Sequence, residues 1–179
     1  PLVLINKLLE ELALPSVLID HSHGAQQAVK HLVEKRHQRI GMIVGSLDDL
    51  NNLQLLDGYQ EALENIGLSF NEELVIEVES SRQGGYDGFL KILNKDQIPT
   101  AIFAAGDLLA AGVVEAIKMG GYIIPADMAV VGYGDTLITD IIHPPLTTIR
   151  LPLIEVGEKA IDKLVKVIEE EEIGQPFEI

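Results

Sequence analysis

The chain has 179 residues, 47% of them hydrophobic, which suffices for one domain or two small lobes with a full core and no covalent staples. It contains no cysteine, so disulfides and thiolate metal sites are excluded, and a reducing compartment such as the cytoplasm suits it. With 13 basic against 28 acidic residues, the formal charge of −15 repels nucleic acid from the chain as a whole, and no run of 18 uncharged apolar residues is available to span a membrane.

The opening Pro1-Leu2-Val3-Leu4-Ile5 reads like the middle of a strand, with no basic leader or cleavage site, so the protein is expected to begin upstream. Leu8, Leu9 and Leu12 then fall at helical spacing until Pro15 stops them. Val17-Leu18-Ile19 is a second apolar run, ending at Asp20, and Ala25, Ala28, Val29, Leu32 and Val33 make one face of a helix. Ile40 to Val44 predicts a strand. Past Asp48-Asp49, a helix presents Leu53, Leu56, Tyr59, Leu63 and Ile66, closed by Gly67. Leu74 to Val78 is a strand; Tyr86, Phe89, Leu90 and Leu93 mark a helix; Thr100 to Ala104 is a strand whose following helix Asp107 is placed to cap.

That helix, Leu108 to Met119, is apolar nearly all round. It is read as buried, as a subunit interface through Leu109, Val113 and Ile117, or as both. Ala129 to Tyr133 is a strand and Thr147 to Leu151 is extended. A last helix puts Ile154, Ile161, Leu164, Val165 and Ile168 on one face, and Glu169 to Glu172 is a solvated charge run at its end.

Short apolar strands alternating with helices imply βαβ units and parallel sheets covered on both faces, an α/β fold. In such sheets ligands bind outside the carboxyl ends of the strands. Those ends are polar or tight here: Asp20, Gly45-Ser46, Glu79-Ser80-Ser81-Arg82, Gly106-Asp107 and Gly134-Asp135. Each is also an ordinary βα turn. Together they are the candidate ligand crevice, in which Gly134 clears room and Asp135 offers an acceptor or a cap.

Four segments carry a resemblance: HLVEKRHQRIGMIVGS (31–46), LLDGYQEALENIGL (55–68), PTAIFAAGDLLAAGVVEAIKMGGYIIPADMAVVGYGDT (99–136) and PPLTTIRLPLIEVGEKAIDKLVKVI (144–168). They are similar to the signature motifs of the lactose-repressor (LacI/GalR) family of bacterial transcription regulators. The resemblance implies two Rossmann-like lobes of the periplasmic binding protein-like type I kind, joined by three crossings, with a small-molecule effector between them. It implies a homodimer and a DNA-binding helix-turn-helix that lies outside this chain and alone touches the operator. The first lobe is then incomplete, formed by residues 1–38 with 150–179, and the second spans 39–149. Pro144-Pro145 closes the second lobe, Leu146 to Ile149 leads back to the first, and the last helix packs there.

The resemblance also assigns the crevice. Sugar-binding members of the family anchor ligand hydroxyls with an Arg where this chain has Leu55, an Asn where it has Gly106 and an Asp where it has Gly134. All three anchors are lost, while Asp20 and Tyr86 are kept at positions of an acceptor and a stacking ring. Ser46, Arg82, Asp107, Tyr133 and Asp135 complete the candidate ligand-contacting set. A simple monosaccharide is therefore not the expected effector. The losses point to a less polar, larger or phosphorylated ligand, with Arg82 to meet an anion, or to a crevice that has lost effector binding. The family also has more residues between the Asp20 and Gly24 positions than His21-Ser22-His23 supply, which predicts a gap or a deletion there.

Other chemistry finds little support. His31, Glu34 and His37 lack the spacing that stacks two imidazoles one turn apart, so no metal is expected, and no cofactor is called for. There is no nucleophile elbow or phosphate-binding loop; GYGDTL departs from the dinucleotide fingerprint at Leu137; Asp48-Asp49 has no nucleophile to serve. An enzyme is not expected. The competing reading is a stand-alone solute-binding protein of a transport system, which shares the fold.

Overall fold

The computed structural model describes residues 1–9, 14–169 and 177–179. They form two compact units, Pro1–Asp20 with Leu151–Ile179, and His21–Arg150.

The first unit contains β1 (Leu4–Ile5) and β2 (Ser16–Leu18). Between them the structure departs from the sequence reading. Leu8 and Leu9 lie in no helix, and Leu12 falls outside the described residues.

In the second unit, α1 (His21–Glu34) starts directly after Asp20 and runs unbroken through Gly24, so His21-Ser22-His23 form its first turn. After β3 (Ile40–Val44) comes α2 (Leu50–Asn65). The Asp49 side chain caps α2, and Gly67, at φ 75°, closes it with the Gly67 and Leu68 amides donating back to Glu64 and Leu63. Next follow β4 (Val75–Glu77), α3 (Arg82–Leu93) capped by Ser81, β5 (Ala101–Ala104), α4 (Asp107–Met119) and β6 (Ala129–Gly134). The short α5 (Ile138–Ile141) leads into β7 (Thr147–Arg150), which pairs with β6. The extended segment behind Pro144-Pro145 is thus the edge strand of the second unit, and the chain crosses back only after Arg150. In the first unit again, α6 (Leu153–Ile168) and β8 (Phe177–Glu178) complete the set; of the charge run at the end of α6, Glu170 to Glu172 fall outside the described residues.

Both sheets are wholly parallel, in the order β1-β2-β8 and β4-β3-β5-β6-β7. Parallel strands need crossover helices, and those helices explain why β3 and β5 are buried at every residue. Alternate side chains serve opposite faces. Ile43, Ile102, Ala104 and Val130 pack with Phe89, Leu109, Val113 and Ile117 from α3 and α4. Phe103 and Tyr133 meet edge to face on the other side, where Tyr133 covers Gly24 of α1.

Glycines set the helix pairs. A Cβ at Gly58 of α2 would lie 2.1 Å from the Ser22 carbonyl oxygen of α1. One at Gly85 of α3 would lie 2.0 Å from the Leu109 carbonyl, and one at Gly112 of α4 would lie 1.9 Å from that of Arg82. In both pairs backbone touches backbone. Beside Gly58, the Tyr59 hydroxyl donates to the Ile40 carbonyl at 2.8 Å, and burial raises its pKa far above the ordinary value, with Arg39 opposing weakly.

The Ser22–Gly58 contact corrects the lobe boundary. The sequence reading grouped residues 1–38 with 150–179, but α1 is joined to α2 and to Tyr133, so the second unit begins at His21. The final helix is corrected too. In α6 it is Val156 and Ala160 that bury themselves, in a core with Val17 and Ile19. The face expected to pack is open, with Ile154 81% and Ile161 65% exposed.

Candidate functional site

Because the five strands of the larger sheet are parallel and in register, their carboxyl ends line one edge. The chain leaves β3 for β4 on one side and returns to β5 on the other, so the topological switch point falls between the loops that begin at Gly45 and at Ala105.

On the β3 side the turn is tight. A Cβ at Gly45 would sit 2.2 Å from the Ser80 hydroxyl and 2.7 Å from the Asn52 amide nitrogen. The Ser46 carbonyl accepts from Asn52 at 3.0 Å, and Glu77 accepts from the Leu47 amide at 3.0 Å. Ser46 itself stays exposed beside them. On the β5 side the turn is open. A Cβ at Gly106 would meet nothing nearer than 3.9 Å. Gly106 is the N-cap of α4 and supplies no side-chain hydrogen bond to its first amides.

Asp107 does not cap that helix. It is α4's first residue and is buried, and its carboxylate faces the strands instead. One oxygen accepts from the Thr136 amide at 2.7 Å and the Thr136 hydroxyl at 3.0 Å; the other accepts from the Thr148 hydroxyl at 2.6 Å. Gly132 and Gly134 make room for it. Their Cβ atoms would come within 2.6 and 3.2 Å of the two oxygens, and Gly134 has φ 132° besides. Gly134 therefore leaves room for the Asp107 carboxylate beside it. Asp135, also at positive φ, pairs with Arg150, and its amide donates to Thr148. The result is a clip holding the ends of β6 and β7 to the start of α4.

The remaining candidates disperse. Tyr133 is buried, with its hydroxyl 2.7 Å from Nδ1 of His21. Leu55 is buried within the α2 layer and offers no polar group. Arg82 pairs with Glu115 at 2.7 Å, and Tyr86, one turn along α3, packs on the core. Asp20 belongs to the first unit, where its amide donates to the Ile179 carbonyl. Leu109, Val113 and Ile117 are the interior face of α4, 2% exposed or less. They cannot form a subunit interface, because the sheet and α3 already cover them. The structure adds Thr136, Thr148, Arg150 and His21, which sequence reasoning missed. Thr148 stands inside the LTT motif, whose meaning required the β6–β7 pairing. Among the described residues no cluster of three His, Asp or Glu is placed to hold a metal ion. No helix among them is long and apolar enough to cross a membrane.

The profile of the periplasmic binding protein-like domain matches residues 29–178. The HTH-type transcriptional repressor PurR of Haemophilus influenzae (strain Rd) is 33% identical over 159 residues, 88% of this chain and 47% of PurR. Catabolite control protein A of Priestia megaterium is 29% identical over 174 residues, covering 97% and 52%. The chain thus spans about half the length of these relatives. A regulatory protein of the LacI family from Chloroflexus aggregans superposes with a TM-score of 0.92 at 28% identity, over 99% of this chain and 64% of that one. The transcriptional regulator CelR in complex with cellobiose does so with a TM-score of 0.91 at 29% identity, over 99% and 55%.

Proposed function

Since this chain belongs to the periplasmic-binding-protein-like family of LacI-type transcription regulators, we propose that it is the effector-sensing core of a bacterial transcriptional repressor. An effector binds at the carboxyl edge of the five-stranded sheet. Its differential affinity for two arrangements of the protein changes the grip of a helix-turn-helix, outside this chain, on operator DNA. The regulator works as a cytoplasmic homodimer, joined through residues other than Leu109, Val113 and Ile117. With a formal charge of −15, the chain leaves DNA contact to that other domain.

One observation carries the reading. At the switch point the amino end of α4 has no side-chain cap and opens over Gly106, because Asp107 is committed to Thr136 and Thr148. Amides in that setting receive an acceptor or an anion. With Leu55 buried, and with glycine at 106 and 134, the polar fixtures for a monosaccharide are absent. The effector is a larger sugar or a phosphorylated compound. A relative solved with cellobiose, a disaccharide, accords with this.

Thermal-shift screening against free hexoses, disaccharides, sugar phosphates, nucleosides and amino acids tests the proposal, since a ligand of the native state raises the melting temperature. A disaccharide or sugar phosphate should stabilise the chain and free hexoses should not. Gly106→Leu, at a φ of 163° that any residue adopts and with open space before it, should keep the unliganded melting temperature and lose the shift. Tight hexose binding, or an effector that binds the Leu variant undiminished, would defeat it.

A further inference from the structure

A cavity of about 600 Å³ opens at the opposite, amino-terminal edge of the same sheet. Its floor is apolar: Leu32 of α1, Val114 of α4, Val130 and Val131 of β6, and Leu146 ahead of β7. One rim carries Pro125 and Ala126, another Pro144 and Pro145, and the third is the end of α1 with His31, Lys35 and His37. The whole of it lies within the second unit.

Three features set it apart from an incidental groove. Its rims are fixed: Lys118 donates to the His143 carbonyl at 2.7 Å, the Leu146 amide to Thr139, and Asp127 closes its own turn by accepting from the Ile123 amide at 2.8 Å. His37 is tied through Nδ1 to the Thr100 hydroxyl at 3.0 Å, and burial lowers its pKa, so near neutral pH it enters as an uncharged polar ring. Finally, among the described residues no Asp or Glu lines the cavity, in a chain where acidic residues outnumber basic ones 28 to 13. Among the described residues Lys35 is the one full charge on its lining.

An apolar floor of this volume, a single cation and two imidazoles at one rim suit one kind of molecule, with a flat or branched hydrocarbon body and one negative head. We infer that this cavity is a second small-molecule site, for a compact aryl or branched-alkyl carboxylate whose hydrocarbon rests on Ile124, Ala129 and Leu146, the half-buried part of the lining, and whose carboxylate meets Lys35. It is separate from the effector edge. Five residue steps along β6 separate Ala129 from Gly134, about 16 Å at the usual strand rise. Helix α1 reaches both ends, with Gly24 under Tyr133 and Lys35 just beyond its last turn at the cavity.

The probe is 2-naphthoate, titrated into the ¹⁵N-labelled chain beside its uncharged counterpart 2-naphthylmethanol. Saturable shifts should appear at the Lys35, Ala126 and Thr147 amides, with the alcohol binding more weakly. Lys35→Glu should raise the Kd about tenfold, as loss of a hydrogen bond to a charged group does. Ala126→Trp should fill the cavity and abolish saturation. Both positions are exposed, so both variants should keep the parent melting temperature. Gly106→Leu, at the other edge, should leave the Kd unchanged. Absence of saturable shifts at these amides, equal affinity for acid and alcohol, or indifference to Lys35→Glu would overturn the assignment. Shifts confined to Ser46 and Gly106 would overturn it too, while leaving the effector edge in place.

Discussion

In the second unit β3 and β5 are buried along their whole length, and α4, apolar nearly all round, hides Leu109, Val113 and Ile117. In the first unit α6 is the more sharply amphipathic helix, yet it leaves Ile154, Ile161 and Ile168 open to solvent and buries only Val156 and Ala160. The difference is one of layers, not of sequence quality. The five-stranded sheet has α1 and α2 on one face and α3 and α4 on the other, so the centre of each apolar stripe finds a partner, and only its flanks, such as Leu53, Ile66 and Leu90, stay exposed. The three-stranded sheet has one helix among the described residues, and a stripe pointing away from it has nothing to meet. An apolar periodicity states that a residue can be buried; the neighbouring layer decides whether it is.

The sharpest test of that contrast attacks the layered unit where its helices touch. Gly112→Val inserts a side chain where even a Cβ would lie 1.9 Å from the Arg82 carbonyl, so α3 and α4 must separate. The expected loss is about 3 kcal/mol or more, read as a lowered urea midpoint. Gly85→Val should act alike, and the double variant should cost less than the sum, because one separation serves both. A cost under about 1 kcal/mol for either change would mean that the two backbones are not in contact.

Next in size is the clip at the carboxyl edge. Asp107→Ala strands the Thr136 amide and the Thr136 and Thr148 hydroxyls, at about 2 kcal/mol. Hydrogen exchange should quicken along β7 before it does along β3. Uniform protection in the variant would show that Asp107 does not hold the edge strand.

Tyr59→Phe follows, at about 1 kcal/mol, because it removes the hydroxyl from a buried Ile40 carbonyl. The same residue gives a signed pH test. Its folded pKa is raised above the ordinary 10.0, so the unfolded chain loses this proton first. The parent should lose stability as pH climbs past 10, and the Phe variant should lack that component of the slope. Parallel slopes would mean the phenol is not held in the core.

These residues also show what a sequence makes legible. The α/β class, the parallel sheets and most element positions follow from apolar runs and from Gly67, whose left-handed turn ends α2. The family follows from motifs, but the motifs do not say what they are for. Gly58 and Tyr59 belong to a family motif, and one lets α1 and α2 touch while the other ties α2 to β3. Gly134 and Asp107 look like crevice residues, and the glycine leaves room for a carboxylate that Thr136 and Thr148 hold. What escaped is whatever depends on contacts between distant segments: Thr148 under Asp107, His21 against Tyr133, and α1 joining the second unit. The loops of the candidate site were legible as strand ends; which of their side chains remain open was not, because Asp107 and Tyr133 are used up internally.

The smallest effect tests the other half of the contrast. Ile161 is 65% exposed on α6, so Ile161→Lys should change stability by no more than about 0.5 kcal/mol, in step with other surface substitutions. It should also raise solubility, because it interrupts an apolar stripe that includes Ile154, Val165 and Ile168. A loss above about 1 kcal/mol would contradict the open face, since a lysine can cost that much only where the position is covered. Concentration then separates the causes. If a second copy provides the cover, the parent's urea midpoint should rise with protein concentration and the variant's should not. If the chain folds over its own helix, neither midpoint should move.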